Sequence, residues 1–261
     1  MSDDDGPFGG TEEYYAKHRP GYGDAALSYL RERFDLDGDT RVLDLGCGAG
    51  QIAVPLAAHV GEAVGMDPNE AMLRQAERRA EAAGRENLTW VIGSDADLSG
   101  ELGGFGLATM GRSFHWMDER ETLERLRGLL EPGGGVAILD DEEWFTRGTE
   151  GWQDAVYDLA AEYLDELPER TGPVDHSAED PWDELVESVG FDDVEAATFA
   201  VEREWTVDAV VGYAFSLSYC SPDRFGEEKA AFESALRERL AQRPEETFPQ
   251  RTEVTVISGR R

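Results

Sequence analysis

The residues in this chain best placed to hold a small molecule are Asp44, Gly46, Gly48 and Gly50. They stand in the run Arg41-Val42-Leu43-Asp44-Leu45-Gly46-Cys47-Gly48-Ala49-Gly50-Gln51. Alternating apolar and polar residues lead into a glycine-rich turn, and Gln51-Ile52-Ala53-Val54 then opens a segment of helical character, so the run reads as strand, tight loop, helix. Glycines there permit positive φ and remove every Cβ, which lets an adenosine-type ligand lie against the backbone at the switch point of an open α/β sheet. A dinucleotide fingerprint spaces its glycines G-x-G-x-x-G around a pyrophosphate. Here the spacing is G-x-G-x-G, and Asp44 precedes the first glycine by two residues. A carboxylate in that place repels a pyrophosphate and suits a ligand with a cationic amine and a sulfonium. S-adenosylmethionine carries both. Asp67 ends a second short apolar run, Glu62-Ala63-Val64-Gly65-Met66-Asp67, where two ribose hydroxyls can donate to its two oxygens.

Strands alternating with helices must carry these residues, and the sequence supplies them as far as residue 140. Helices are expected over 11–19 and over 23–34, the latter with Leu27, Leu30 and Phe34 on one face. A short helix over 51–59 has Pro55 in its first turn, and Pro68 starts another that runs to 83 and stops at Gly84. Strands are expected over 88–92, 105–110 and 136–140, with a helix over 119–130 and a break at Glu131-Pro132-Gly133-Gly134-Gly135. The alternation then ceases. Helices over 152–167 and 182–189 flank a proline-rich acidic connector, a strand follows over 194–205, and Thr206 caps a helix reaching about 218. A helix over 225–240 and a strand over 251–258 complete the chain. The fourth strand delivers Gly111-Arg112-Ser113-Phe114-His115-Trp116 to the carboxyl end of the sheet, where ligands bind in such folds.

Val42 to Gly50 resembles the first motif of the class I S-adenosylmethionine-dependent methyltransferases, and Gly65-Met66-Asp67-Pro68-Asn69-Glu70-Ala71-Met72-Leu73 resembles their second. Tyr15-Ala16-Lys17-His18-Arg19-Pro20-Gly21-Tyr22 and Ser113-Phe114-His115-Trp116-Met117-Asp118 are similar, more narrowly, to the small-molecule branch with trans-aconitate and quinone-biosynthesis methyltransferases. The resemblance implies an α/β, Rossmann-like fold with a seven-stranded, mostly parallel sheet in the order 3-2-1-4-5-7-6 and a small helical cap. It implies a single domain over 1–261: lid helices to 36, a cofactor half over 37–145, cap and sixth strand over 146–222, then a last helix and strand. S-adenosylmethionine is the implied cofactor, with Cys47, Gln51, Pro68, Met72, Gly111, Arg112 and Ser113 added to its site. Asp95 or Asp97 would meet the adenine amine, the family pattern favouring Asp95, with Ser94 and Ala96 beside the ring. The first helix folds over the cofactor in the family, so Tyr14 and Tyr15 become candidates to shield the methyl group and Arg19 to pair with the cofactor carboxylate.

Methyl transfer from a sulfonium is an in-line displacement that needs alignment, a dry site and, for an oxygen or carbon nucleophile, a base. No metal is required. His115 is a usable base at neutral pH or else a structural histidine beneath the site, and Tyr15 is a further catalytic candidate. His18 is a weaker one; His59 and His176 lie in elements that should point elsewhere.

Composition narrows the partners. Asp plus Glu number 56 against 24 Lys plus Arg, a formal net charge of -32 over 261 residues, and Lys17 and Lys229 are the only lysines. Most of such a surface repels nucleic acid, and apolar periodicity marks it as folded rather than disordered. Adaptation to high salt is expected, because at about 1 M ionic strength the Debye length falls to roughly 3 Å and self-repulsion becomes tolerable. Two distant cysteines give no disulfide framework or metal cluster, and no apolar run of about 18 residues suggests a membrane span. The reading is a cytoplasmic monomer or homodimer that methylates a small molecule. Alternatives are a methyltransferase acting on protein or RNA, a cofactor-binding protein without catalysis, and a nicotinamide oxidoreductase, which would need the other glycine spacing.

Overall fold

The computed structural model describes residues 10–141, 143–171 and 181–261. Among them, seven strands form one sheet in the order β3-β2-β1-β4-β5-β7-β6. β1 (Arg41–Leu45), β2 (Glu62–Asp67), β3 (Leu88–Ile92), β4 (Phe105–Gly111) and β5 (Leu130–Asp141) pair in parallel, and β7 (Phe248–Arg260) runs antiparallel to β5. β6 (Asp192–Trp205) lies outside β7. The expected strand order is therefore the observed one. β1 and β2 are buried beyond their first residue, as strands covered on both faces are. Their register pairs Leu45 with Met66, Asp67 with Ile92 and Asp44 with Thr109, which brings the carboxyl ends of β1 to β4 level.

α1 (Glu12–His18), α2 (Asp24–Arg33), α4 (Glu70–Ala82) and α5 (Glu119–Leu129) fall where the sequence places them, but several boundaries differ for identifiable reasons. In α2 the buried residues are Ala26 and Leu30, with Phe34 just beyond its end, while Leu27 is only half-buried. α3 is confined to Ala53–Leu56. Asn69, not Pro68, starts α4: its side chain accepts from the Ala71 and Met72 amides, so the proline lies outside the cap. β5 begins at Leu130 rather than at 136, because buried Leu130 pairs with Phe105 before the register jumps to Leu107 opposite Gly135; Gly133 takes φ 85° in this bulge.

Further on, α6 (Trp144–Arg147) is unforeseen, and α7 (Gly151–Tyr163) ends four residues early. Residues 172–180 of the expected connector lie outside the described residues. α8 (Trp182–Ser188) matches expectation, whereas α9 (Val207–Phe215), capped by Thr206 on the Ala209 amide, ends before residue 218. The expected helix over 225–240 is split: α10 (Pro222–Phe225) and α11 (Lys229–Ala241) flank a short 3-10 turn that Gly226 enters at φ 52°. β7 is longer than foreseen because Phe248, Gln250, Thr252, Val254 and Val256 all turn inward on alternate positions.

The chain divides into two compact units. The larger holds residues 21–141, 176–199 and 253–261, with β1 to β5 around Leu43, Leu45, Phe105, Met110 and Leu123. The smaller holds residues 1–20, 142–175 and 200–252, built on Trp144, Trp152, Trp205, Phe215 and Phe232. α1 therefore groups with the helices after residue 142, not with α2. It lies on α9 at Gly212, where a Cβ would come within 2.1 Å of the His18 ring.

No helix among the described residues is long and apolar enough to cross a membrane. In the larger unit the closest backbone approach is at Gly135, where a Cβ would stand 2.2 Å from the Gly259 carbonyl oxygen and 2.5 Å from the Phe34 ring. Gly135→Ala should therefore lower unfolding free energy by about 1–3 kcal/mol in urea denaturation. An unchanged midpoint would refute the β5-β7 packing.

Candidate functional site

The glycine loop is fixed to the sheet by its own backbone. Gly46 and Cys47 donate to the Met66 carbonyl at 2.8 and 3.1 Å, and Gly46, Gly48 and Gly50 take φ 67°, 52° and 76°. At Gly46 a Cβ would also lie 2.5 Å from Cβ of Ser113, whose hydroxyl donates to the Leu45 carbonyl at 2.9 Å. The Trp90 ring packs over the far side of the loop, so a Cβ on Gly65 would meet it at 2.3 Å and one on Gly50 at 3.3 Å.

Two buried acids flank this loop. One Asp67 oxygen accepts from the Gly48 amide at 2.8 Å and the other from the Asn69 amide at 2.9 Å. Burial pushes its carboxyl above the ordinary range, against those two bonds. Asp44 is 2 % exposed and accepts from the Ala53 amide at 3.0 Å and the Thr109 hydroxyl at 2.9 Å. Burial pushes it up to about 7, opposed by the Thr109 and Ala53 bonds and assisted by the Asp67 charge. Its visible role is thus to tie β1, the start of α3 and β4 together. Cys47 is buried between the acids, and desolvation with both their charges raises its thiol. Gln51 is 6 % exposed, and its side-chain nitrogen is buried without a hydrogen-bond partner among the described residues. Such a donor marks a place for an acceptor that the described residues do not provide.

The other expected residues sort by what they touch. Met72 is one of the buried residues of α4, and Pro68 is exposed beside Asp67. Asp95 turns its carboxylate to the start of α5, accepting from the Asp118 amide and the Thr122 hydroxyl at 3.2 Å each, while Asp97 accepts from the amide and hydroxyl of Ser94. The Ala96 carbonyl is taken by Arg125. Gly111 sits against the Tyr22 hydroxyl and Ile52. Arg112, at φ 52°, reaches away from the loop: it pairs with buried Asp141 at 3.0 Å, donates to the Tyr22 hydroxyl at 2.9 Å and covers that ring. His115 is exposed beside Trp116, ring centroids 5.1 Å apart, rather than buried beneath the loop. His59 is exposed against Arg31, and His176 lies outside the described residues.

Tyr14, Tyr15 and Arg19 are packed within the smaller unit. Lys229 donates to the Tyr14 hydroxyl at 3.1 Å, and the Arg19 guanidinium lies over the Tyr15 and Tyr213 rings, 3.7 Å from Glu143. Burial lowers the His18 imidazole below its ordinary value, with Lys17 adding to the effect and Asp208 opposing it. Motif spacing reveals neither Thr109 nor Trp90, although a hydroxyl inside the apolar run 105–110 is a readable anomaly.

Residues 42–134 match the family described as methyltransferase domain. Over 108 residues the chain is 38 % identical to a 2-phytyl-1,4-naphtoquinone methyltransferase of Trichormus variabilis, covering 40 % of this chain and 47 % of that protein. An uncharacterized methyltransferase-like protein of Schizosaccharomyces pombe is 24 % identical over 86 % of this chain and 82 % of its own. The chain spans about half the length of the first curated relatives it matches. A solved structure of a putative type II methyltransferase from Anaeromyxobacter dehalogenans superposes with TM-score 0.62 at 26 % identity, covering 93 % and 97 % of the two chains. A Thiobacillus denitrificans methyltransferase, solved with S-adenosylhomocysteine, shares the fold at TM-score 0.53 and 22 % identity, over 95 % of each chain.

The Asp44 geometry has a measurable consequence. Its folded value lies above the unfolded one near 3.9, so the native protein binds the extra proton and stability falls as pH rises between about 4 and 7. Asp44→Asn should remove that component, an upper bound of about 4 kcal/mol. Its amide can donate to the Thr109 oxygen while Thr109 turns to the Leu43 carbonyl. Identical pH slopes for the two proteins, in urea titrations at each pH, would overturn the assignment.

Proposed function

We propose, from the premise that residues 42–134 are a methyltransferase domain on the class I methyltransferase fold, that this protein binds S-adenosylmethionine and methylates a small molecule. The observation that carries the reading is the Gly46 to Gly50 loop held between two buried carboxyls, with the Gln51 amide beside it lacking an acceptor among the described residues. The donor set fits the cofactor. Asp67 keeps lone pairs for hydroxyl donors beyond the two amides it accepts, as a ribose requires. Gln51 can donate to a carboxylate or hydroxyl, and the glycines put no Cβ between the loop backbone and a flat ligand. Ile92, 63 % exposed and paired in register with Asp67, offers an apolar surface for a base, near Ser94, Asp95 and Ala96.

When bound, the cofactor supplies an electrophilic methyl group on a cationic sulfur. The chain's part is to hold and orient it, and His115, exposed after β4, is available to take a proton from the acceptor. The naphthoquinone-methylating relatives support a small-molecule acceptor, and the acidic surface argues against nucleic acid. We read the protein as cytoplasmic, monomeric or homodimeric, and adapted to high salt.

Calorimetric titration with S-adenosylhomocysteine tests the cofactor. Binding should be micromolar in the wild type and at least about tenfold weaker in Asp67→Ala, since hydrogen bonds to a charged group are worth about 1.5–3 kcal/mol. Failure of the folded wild type to bind would withdraw the reading. Thermal melts from dilute buffer to multimolar potassium chloride test the salt adaptation: Tm should rise with salt, and a maximum in dilute buffer would contradict it.

A further inference from the structure

β4 ends in a bend that sheet pairing does not require. Arg112, the residue after Gly111, takes φ 52°, where glycine is at ease and a long side chain is not. Among the described residues the other two non-glycine positions with positive φ are Asp35 and Asp193, of a type that enters this region readily. Backbone in such a conformation persists only where its surroundings over-determine it, and it clusters at ligand sites. Here it stands at the carboxyl end of β4, beside β1, the point at which the strand order reverses.

Three groups over-determine it. The Arg112 amide donates to the Leu139 carbonyl at 2.9 Å, one step beyond the last β4-β5 pair. The guanidinium, its side chain 12 % exposed, pairs at 3.0 Å with the carboxylate of Asp141, a side chain 4 % exposed. The same fork donates through Nε to the hydroxyl of buried Tyr22 at 2.9 Å and covers the Tyr22 ring. That hydroxyl lies so near Gly111 that a Cβ there would stand 2.5 Å from it, with the Ile52 side chain of the cofactor loop equally close. A buried ion pair is costly to assemble, and apolar replacements often stabilise a fold, so stability alone does not account for this one. What it fixes is a direction. With Arg112 turned to Asp141 and Tyr22, the next residue is turned onto the glycine loop. The Ser113 hydroxyl donates to the Leu45 carbonyl at 2.9 Å, and its Cβ lies 2.5 Å from where a Gly46 Cβ would be.

We propose that Arg112, Asp141 and Tyr22 form a clamp that positions the cofactor loop, acting through Ser113 on Gly46. All three are positioning residues. Asp141 and Tyr22 hold the Arg112 fork, the fork holds the left-handed turn, and the turn seats Ser113 against the loop. The clamp's purpose rests on the cofactor reading, while its geometry belongs to the larger unit alone.

Asp141→Asn, Arg112→Lys and Tyr22→Phe test it, with a urea midpoint taken for each and S-adenosylhomocysteine titrated calorimetrically into the folded protein. Arg112→Lys keeps a cation for Asp141 but lacks the planar fork that serves Asp141 and Tyr22 together. Asp141→Asn should weaken binding about tenfold, and Arg112→Lys and Tyr22→Phe about threefold each. A clamp that served only the fold would lower the midpoint and leave the affinity unchanged, and that result would overturn the proposal. Ser113→Ala tests the link: combined with Asp141→Asn it should weaken binding by clearly less than the product of the two single effects. A full product would overturn it as well. Hydrogen exchange supplies a readout without ligand. The amides of residues 46–48 should exchange faster in unliganded Asp141→Asn than in the wild type, while those of α4 do not change; equal exchange in the loop contradicts the clamp. Tyr22→Phe, which leaves the ion pair intact, replaces Asp141→Asn throughout if the latter does not fold. Binding by the wild type with unaltered variants defeats only the clamp. Absence of binding defeats the cofactor reading, and loop exchange still judges the clamp.

Discussion

An ionisable group inside a parallel sheet is costly to bury unless donors meet it, and Asp44 is where this chain places one. Its two oxygens bind one amide at the start of α3 and one hydroxyl on β4. That pair of bonds fixes the distance between three elements, and the turn from Gly46 to Gly50 must fit inside it. The left-handed conformations of the glycines follow from this closure, as does the close approach of Ser113 to Gly46. Asp67 repeats the device at the next strand, accepting from Gly48 and Asn69 and so joining the loop to the start of α4. The loop is thus tied on both sides by carboxyl groups as well as by the packing of Trp90 and Ser113 against it.

The smaller unit follows a different rule. Its core is aromatic, and its polar groups are held by stacking as much as by charge: Arg19 over Tyr15 and Tyr213, and Lys229 over Tyr14 and Phe215. Flat faces of this kind adapt to flat ligands. They also explain how α1, with no residue fully buried, is retained on α9.

The scarcity of lysine acquires a reason in the fold. Arg41 bridges Glu62 and the Leu102 and Gly104 carbonyls, Arg125 binds Glu121 and the Ala96 carbonyl, and Arg170 joins three segments at once. One planar fork with several donors can serve a carboxylate and a carbonyl together, which a compact ammonium cannot do with fixed geometry. In a chain of such net negative charge, these three arginines each also hold a backbone carbonyl outside their own element.

Much of the larger unit is legible in the sequence. The two-residue spacing of three glycines, the acids at 44 and 67, and the apolar runs between them determine strand, loop and helix, because φ freedom and burial are local properties of residue type. The same holds for the sheet order, through the resemblance of those motifs. Only the tertiary structure decided where Asp95 and Arg112 point, since each is captured by a partner distant in sequence, Thr122 in one case and Asp141 in the other. It alone produced α6, whose carbonyl caps come from Arg170, and the bulge that lets Leu130 reach the core. Grouping α1 with the helices after residue 142, and leaving the Trp144 indole nitrogen without a partner among the described residues, also required the folded chain. Side-chain partnership between segments about 25 residues or more apart is set by packing, and no local pattern encodes it.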